Sequence, residues 1–223
     1  MLRGSRTLDG LADADEVTIW EKHRKGIMSI HIWAPEIHCI EDKWFIYFAA
    51  GNKDDIWAIR PYVLACTGDD PLKDSWMELG QMQAADDFSF KDFSLDMTVF
   101  QNRGIWYCVW AEKVSEGKKI SNLYIAEMES PSKLSTPHVL LTSPDYDWER
   151  VDFWVNEGPA LLRHDDMLYL TYSASATGEC YCMGMLSIPE DGELLNPRAW
   201  KKERVPVVKT DWKKGIQIGR ASC

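Results

Sequence analysis

The stretch SLDMTVFQNRGIWYCVWAE, Ser94 to Glu112, is the middle copy of a pattern that occurs three times in the chain. It starts beside an acid, runs through a short apolar strand, turns at Gln101-Asn102-Arg103-Gly104 and returns through an aromatic strand. The first copy is WAPEIHCIEDKWFIYFAAG, Trp33 to Gly51, with its turn at Glu41-Asp42-Lys43. The third is NEGPALLRHDDMLYLTYSAS, Asn156 to Ser175, turning at His164-Asp165-Asp166. Polar turn residues between short apolar runs mark β-hairpins.

A further apolar strand follows each hairpin: WAIRPYVLACT from Trp57, NLYIAEM from Asn122 and CYCMGMLSI from Cys180. Weaker strands follow at Trp76 to Leu79, His138 to Leu141 and Val205 to Lys209. Each unit therefore holds about four antiparallel strands. The acids that open the units, Glu36, Asp96 and Glu157, are 60 and 61 positions apart. Four strands at such a period describe propeller blades, with a two-sheet sandwich as the alternative. No stretch of useful length keeps a 3.6-residue apolar period, so the fold class is all-β. Residues 1–30 read as the remnant of a first blade, 31–85 as the second, 86–145 as the third, 146–210 as the fourth and 211–223 as an irregular tail.

The 223 residues include 45% hydrophobic and 27% charged side chains, enough to bury a core. The net charge of −10 opposes binding to nucleic acid and suits a neutral partner. No apolar run is long enough to span a bilayer, and the first ten residues lack the apolar region of a signal peptide. The expected location is cytoplasmic, or secreted if the true start lies upstream. The six cysteines lack the spacing of a zinc or redox motif, so reduced, buried thiols are expected, with Cys39 and Cys108 inside apolar runs. The 11 Trp and 8 Tyr serve either packing between sheets or platforms for sugar rings.

In a propeller the first strand of each blade lines the central channel, so acids at the start of those strands converge. Like charges sharing a pocket oppose each other's ionisation, and glycoside hydrolysis uses such a set. Asp96 is flanked by apolar residues and needs hydrogen bonds, and a carboxylate satisfying backbone N–H groups is the competing reading. Gly158 and Pro159 impose an unusual backbone after Glu157 and aim its side chain; the competing reading is a turn glutamate in water. Glu36, after Pro35, reads first as a carboxylate that bonds neighbouring strands.

At WAPE (Trp33 to Glu36), SLD (Ser94 to Asp96) and NEGP (Asn156 to Pro159), the sequence resembles glycoside hydrolase family 43, whose members are five-bladed β-propellers. The resemblance runs from about Ser5 to Lys209 and is closest to arabinofuranosidase-like members. It implies Glu157 as general acid, with Asp96 positioning and tuning it. It places Trp33, Ala34, Pro35 and Glu36 in the pocket lining. Phe153, Trp154 and Asn156 are implied as sugar contacts, although Phe153 and Trp154 could equally pack between blades. It also implies anomeric inversion, with a base-activated water attacking opposite the acid.

The family's base, an Asp in the first strand of the first blade, has no counterpart here, and neither does the Gly-His segment that often holds a channel metal. The expectation is an incomplete propeller, three full blades plus part of the first, with no general base, no required cofactor and no metal ligands. A channel metal belongs only to the intact fold, and residues 217–223 look foreign to the family. The implied substrate is an arabinose- or xylose-containing oligosaccharide. The favoured activity is release of terminal α-L-arabinofuranosyl units from arabinan or arabinoxylan oligosaccharides. The alternatives are a β-xylosidase or endo-arabinanase, a carbohydrate-binding or inactive propeller, and a protein-interaction propeller.

Overall fold

A computed structural model describes residues 1–113, 120–216 and 218. The fold is all-β. It consists of successive four-stranded antiparallel sheets that stack face to face as propeller blades. The first sheet runs in chain order through β1 (Ile30–Ile40), β2 (Lys43–Asn52), β3 (Asp55–Cys66) and β4 (Trp76–Gln81). The second contains β5 (Ser94–Asn102), β6 (Ile105–Lys113) and β7 (Ile120–Ser130), edged by β8 (Lys133–Leu134) and β9 (Val139–Thr142). The third contains β10 (Trp154–His164), β11 (Met167–Ala174) and β12 (Cys182–Pro189), with an outer edge split into β13 (Lys201–Lys202) and β14 (Val208–Lys209). The outer strand expected from Val205 shortens to two residues, because Pro206 has no N–H to give the ladder. The start of β10 joins β7 in parallel through Trp154 opposite Ile120 and Val155 opposite Ser121.

The second sheet is buried on both faces because it lies between the first and the third, whereas β11 and β12 of the third sheet alternate buried and partly exposed residues. Ile40, Phe45, Tyr47 and Val63 of the first sheet meet Met97, Val99, Cys108 and Trp110 of the second. The opposite face of the second sheet, with Tyr107, Val109, Leu123 and Ile125, meets Leu168, Leu170, Tyr172 and Leu186 of the third. The remaining face of the first sheet is covered by the segment before β1. There Trp20 packs against Phe48, with ring centres 5.3 Å apart, and donates to Glu78 Oε1 at 2.6 Å. That segment contains an isolated bridge between Leu2 and Val17 and one 3-10 turn.

Two cysteine expectations separate here. Cys66, Cys108 and Cys182 are buried free thiols, and burial pushes the Cys108 thiol well up. Cys39 is exposed, contrary to the expectation, because β1 alternates and Pro35, Ile37 and Cys39 share its open face. The final segment makes a 3-10 turn at Trp212–Lys214, capped by the Asp211 side chain. Position 217 and positions 219–223, including Cys223, lie outside the described residues.

Candidate functional site

Each sheet's first strand is bulged near its start, and that bulge builds the site. The register breaks between Trp33 and Glu36, between Leu95 and Thr98, and between Glu157 and Ala160. A residue with left-handed backbone sits in each break: Ala34 (φ 45°), Asp96 (φ 53°) and Gly158 (φ 58°), spaced 62 residues apart in both steps. Bulges bend a strand and re-aim side chains, and here they turn three strand ends the same way. This corrects the alignment of Glu36 with Asp96 and Glu157. Ala34 is the structural counterpart of Asp96, and Trp33 is that of Glu157. Glu36 stands two residues beyond its bulge, opposite Tyr47, where it pairs with His38 at 2.9 Å.

The structure brings Asp96 and the Glu157 segment together. The Gly158 N–H donates to Asp96 Oδ2 at 2.9 Å, so the aspartate grips the backbone directly after the glutamate. Aspartate adopts a left-handed backbone more readily than most residues, which suits position 96. Tyr181, buried on the loop between β11 and β12, donates its hydroxyl to Glu157 Oε1 at 2.8 Å. Burial, reinforced by the charge of Glu157, raises its phenol far above the ordinary range, so it remains a neutral donor. Lys113, the last residue of β6, places Nζ 4.1 Å from the centre of the Phe93 ring. Burial lowers its pKa and the facing charge of Glu157 partly restores it. Two carboxylates, a phenol and an ammonium group thus cluster where β5, β6, β10 and the loop between β11 and β12 meet.

The remaining predicted residues divide. Trp33 is half-buried, with its ring centre 4.6 Å from His31 and 6.5 Å from Phe93. Pro35 is exposed. Phe153 and Trp154 are solvent-exposed rather than packed between sheets, and Arg150 covers one face of Trp154 at 4.5 Å. Asn156, expected to touch sugar, is instead fully buried. Its amide donates to Glu149 Oε1 at 3.0 Å, so it anchors the strand from behind. The sequence reading missed Tyr181, Lys113, Phe93 and Glu149. One signal was available: in these meanders the loop between a blade's second and third strands lies at the same end as the start of its first. That places Lys113 and Tyr181 beside the bulges.

Among the described residues no group of three His, Cys, Asp or Glu side chains could hold a metal ion. His23, His38 and His164 pair with Glu78, Glu36 and Asp165, while Ser89 bonds His138 and Trp57 stacks on His31.

The family model for glycosyl hydrolases family 43 matches residues 1–220. An "Extracellular exo-alpha-(1->5)-L-arabinofuranosidase" of Streptomyces avermitilis is 46% identical over 94% of this chain and 43% of its own length. "Alpha-L-arabinofuranosidase 43" of Humicola insolens is 41% identical over 93% of the chain and 42% of its own. The chain spans about half the length of the curated relatives it matches, 42% to 62%. The crystal structure of an α-L-arabinofuranosidase from Lactobacillus brevis superimposes with a TM-score of 0.86 at 47% identity, over 95% of this chain and 66% of that one.

Proposed function

Because the chain belongs to glycosyl hydrolases family 43, we propose that its pocket serves the inverting release of terminal α-L-arabinofuranosyl units from arabinan or arabinoxylan oligosaccharides. Glu157 is the proton donor to the departing glycosidic oxygen. Asp96 is a positioning residue that acts through the Gly158 N–H and holds the acid's backbone in its bulge. Tyr181 donates to one oxygen of Glu157 and so helps to fix the direction of its carboxyl group. Lys113 supplies positive charge beside the pair, which eases the crowding of two carboxylates. The observation that carries this reading is the 2.9 Å bond from the Gly158 N–H to Asp96, with Tyr181 on Glu157 at 2.8 Å. The arabinofuranosidase relatives support the choice of sugar.

No residue of this chain is assigned as the base that activates water. That role is typically worth about 10²–10⁴-fold in rate, so the 223-residue protein should turn over slowly in plain buffer. Azide needs no deprotonation and so replaces the base-activated water. It attacks the anomeric carbon as the C–O bond breaks, while Glu157 passes its proton to the leaving alcohol. The expected product is the inverted arabinofuranosyl azide. Glu157→Gln should abolish its formation from an arabino-disaccharide and reduce it far less from a nitrophenyl arabinofuranoside. Equal losses on both substrates would remove Glu157 from the acid role. Binding of arabino-oligosaccharide with no azide product would favour a binding propeller.

A further inference from the structure

We propose that Trp57 is a stacking platform for a second sugar ring, the one next to the sugar held at Glu157. The inference rests on the saccharide reading above and adds a binding position to it. Trp57 is 60% exposed, an unusual state for so large an indole. It lies in β3 just after the hairpin from β2, at the end of the sheet where β1 begins and is bulged.

The local backbone is built to display it. Between the pairs Asn52–Asp55 and Ala50–Arg60, four residues of β3, Ile56 to Ile59, oppose the single residue Gly51 of β2. The equivalent hairpins of the other sheets keep regular register from Lys113–Ser121 and from Ala174–Cys182. Among the described strand pairs, the extra residues belong to this blade. They bury Ile59 completely and push Trp57 outward.

The indole is also held from behind. His31 stacks beneath it, with ring centres 5.6 Å apart and planes within 15°. His31 itself has a left-handed backbone (φ 52°), a conformation retained only where the surroundings enforce it. Phe93 supports the other flank at 6.3 Å and touches Trp33 at 6.5 Å. Lys113, which faces Glu157, lies over that same Phe93. A continuous set of side chains thus links the acid to the exposed indole. A flat ring held rigid, with one face backed and the other open beside a sugar-cleaving pocket, suits the C–H face of a neutral sugar.

The test is calorimetric titration of the 223-residue protein with L-arabinose, 1,5-linked arabinotriose and xylotriose. Trp57→Ala should weaken trisaccharide binding about tenfold, equivalent to about 1.4 kcal/mol. It should leave monosaccharide binding within about twofold. Trp57→Phe keeps a flat ring and should retain most of the affinity, whereas Trp57→Met keeps apolar bulk and should not. Circular dichroism checks that each variant folds. If all variants bind arabinotriose as the parent does, the platform is wrong and the arabinofuranoside reading stands. If only xylotriose binds, and does so through Trp57, the platform stands and the arabinose assignment falls. If the parent binds no saccharide, both fall.

Discussion

Replacing Glu149 with glutamine tests how the acid strand is held. Glu149 is fully buried, and five donors converge on its carboxylate. Oε2 accepts from the backbone N–H groups of Asp145 at 2.8 Å and Tyr146 at 2.9 Å, and from Lys202 Nζ at 2.9 Å. Oε1 accepts from Asn156 Nδ2 at 3.0 Å and from the Tyr172 hydroxyl at 2.8 Å. Glutamine matches the shape but turns an NH₂ group toward some of these donors. It also leaves Lys202, only 14% exposed, without its buried counter-charge. Removing one partner of a buried ion pair typically costs about 3–5 kcal/mol, a large share of the roughly 5–15 kcal/mol that holds a domain folded. With a urea slope of about 2 kcal/mol per molar, a loss of about 3 kcal/mol lowers the unfolding midpoint by about 1.5 M. The assay is urea unfolding followed by near-ultraviolet circular dichroism. Glu149→Gln combined with Lys202→Met should cost less than the sum of the single changes, because the second removes the stranded charge. A midpoint for Glu149→Gln within about 0.3 M of the parent, at unchanged slope, would refute the reasoning.

Tyr181→Phe removes the donor to Glu157 and keeps the ring. A hydrogen bond to a charged group contributes about 1.5–3 kcal/mol, so the thermal midpoint should fall by roughly 3–12 °C, and azide-dependent turnover of the folded variant should fall about ten- to a hundredfold. Asp86 is held below the usual carboxylate range: burial raises its pKa, but hydrogen bonds from the Ser89 N–H and hydroxyl and from the N–H groups of Phe88 and His138 outweigh it. Since the folded pKa is depressed, this stability is present at neutral pH and lost as pH falls through that pKa. The deficit of Asp86→Asn in urea unfolding should therefore shrink on going from neutral to strongly acid solution. Ala34→Gly relieves a left-handed alanine and should stabilise by about 1 kcal/mol, while Gly158→Ala at the matching position should destabilise by about 1–2 kcal/mol; thermal unfolding checks both.

The blades were legible because a hairpin signals itself locally: polar turns at Glu41-Asp42, Arg103-Gly104 and Asp165-Asp166 stand where the chain reverses. The exact correspondence between blades was not. Matching acid to acid aligned Glu36 with Asp96, whereas the backbone aligns Ala34 with it, because a bulge adds a residue without marking which one. Glycine at 158 advertises a left-handed position, aspartate at 96 tolerates one, and alanine at 34 conceals one. Asn156 and Glu157 stand just before their bulge, in regular register with Ala174 and Ser173, so ordinary alternation turns Asn156 to Glu149 and Glu157 the opposite way, to Tyr181. Tyr181 was hidden for another reason: it reaches Glu157 across 24 residues from a loop with no periodic pattern. Glu157, the proposed acid, therefore takes its direction from the backbone residue after it. That residue, Gly158, is held in turn by a carboxylate from the preceding blade. The acid's aim is a property of two adjacent blades together, so any change that loosens the contact between the second and third sheets should misdirect Glu157 before it unfolds either sheet.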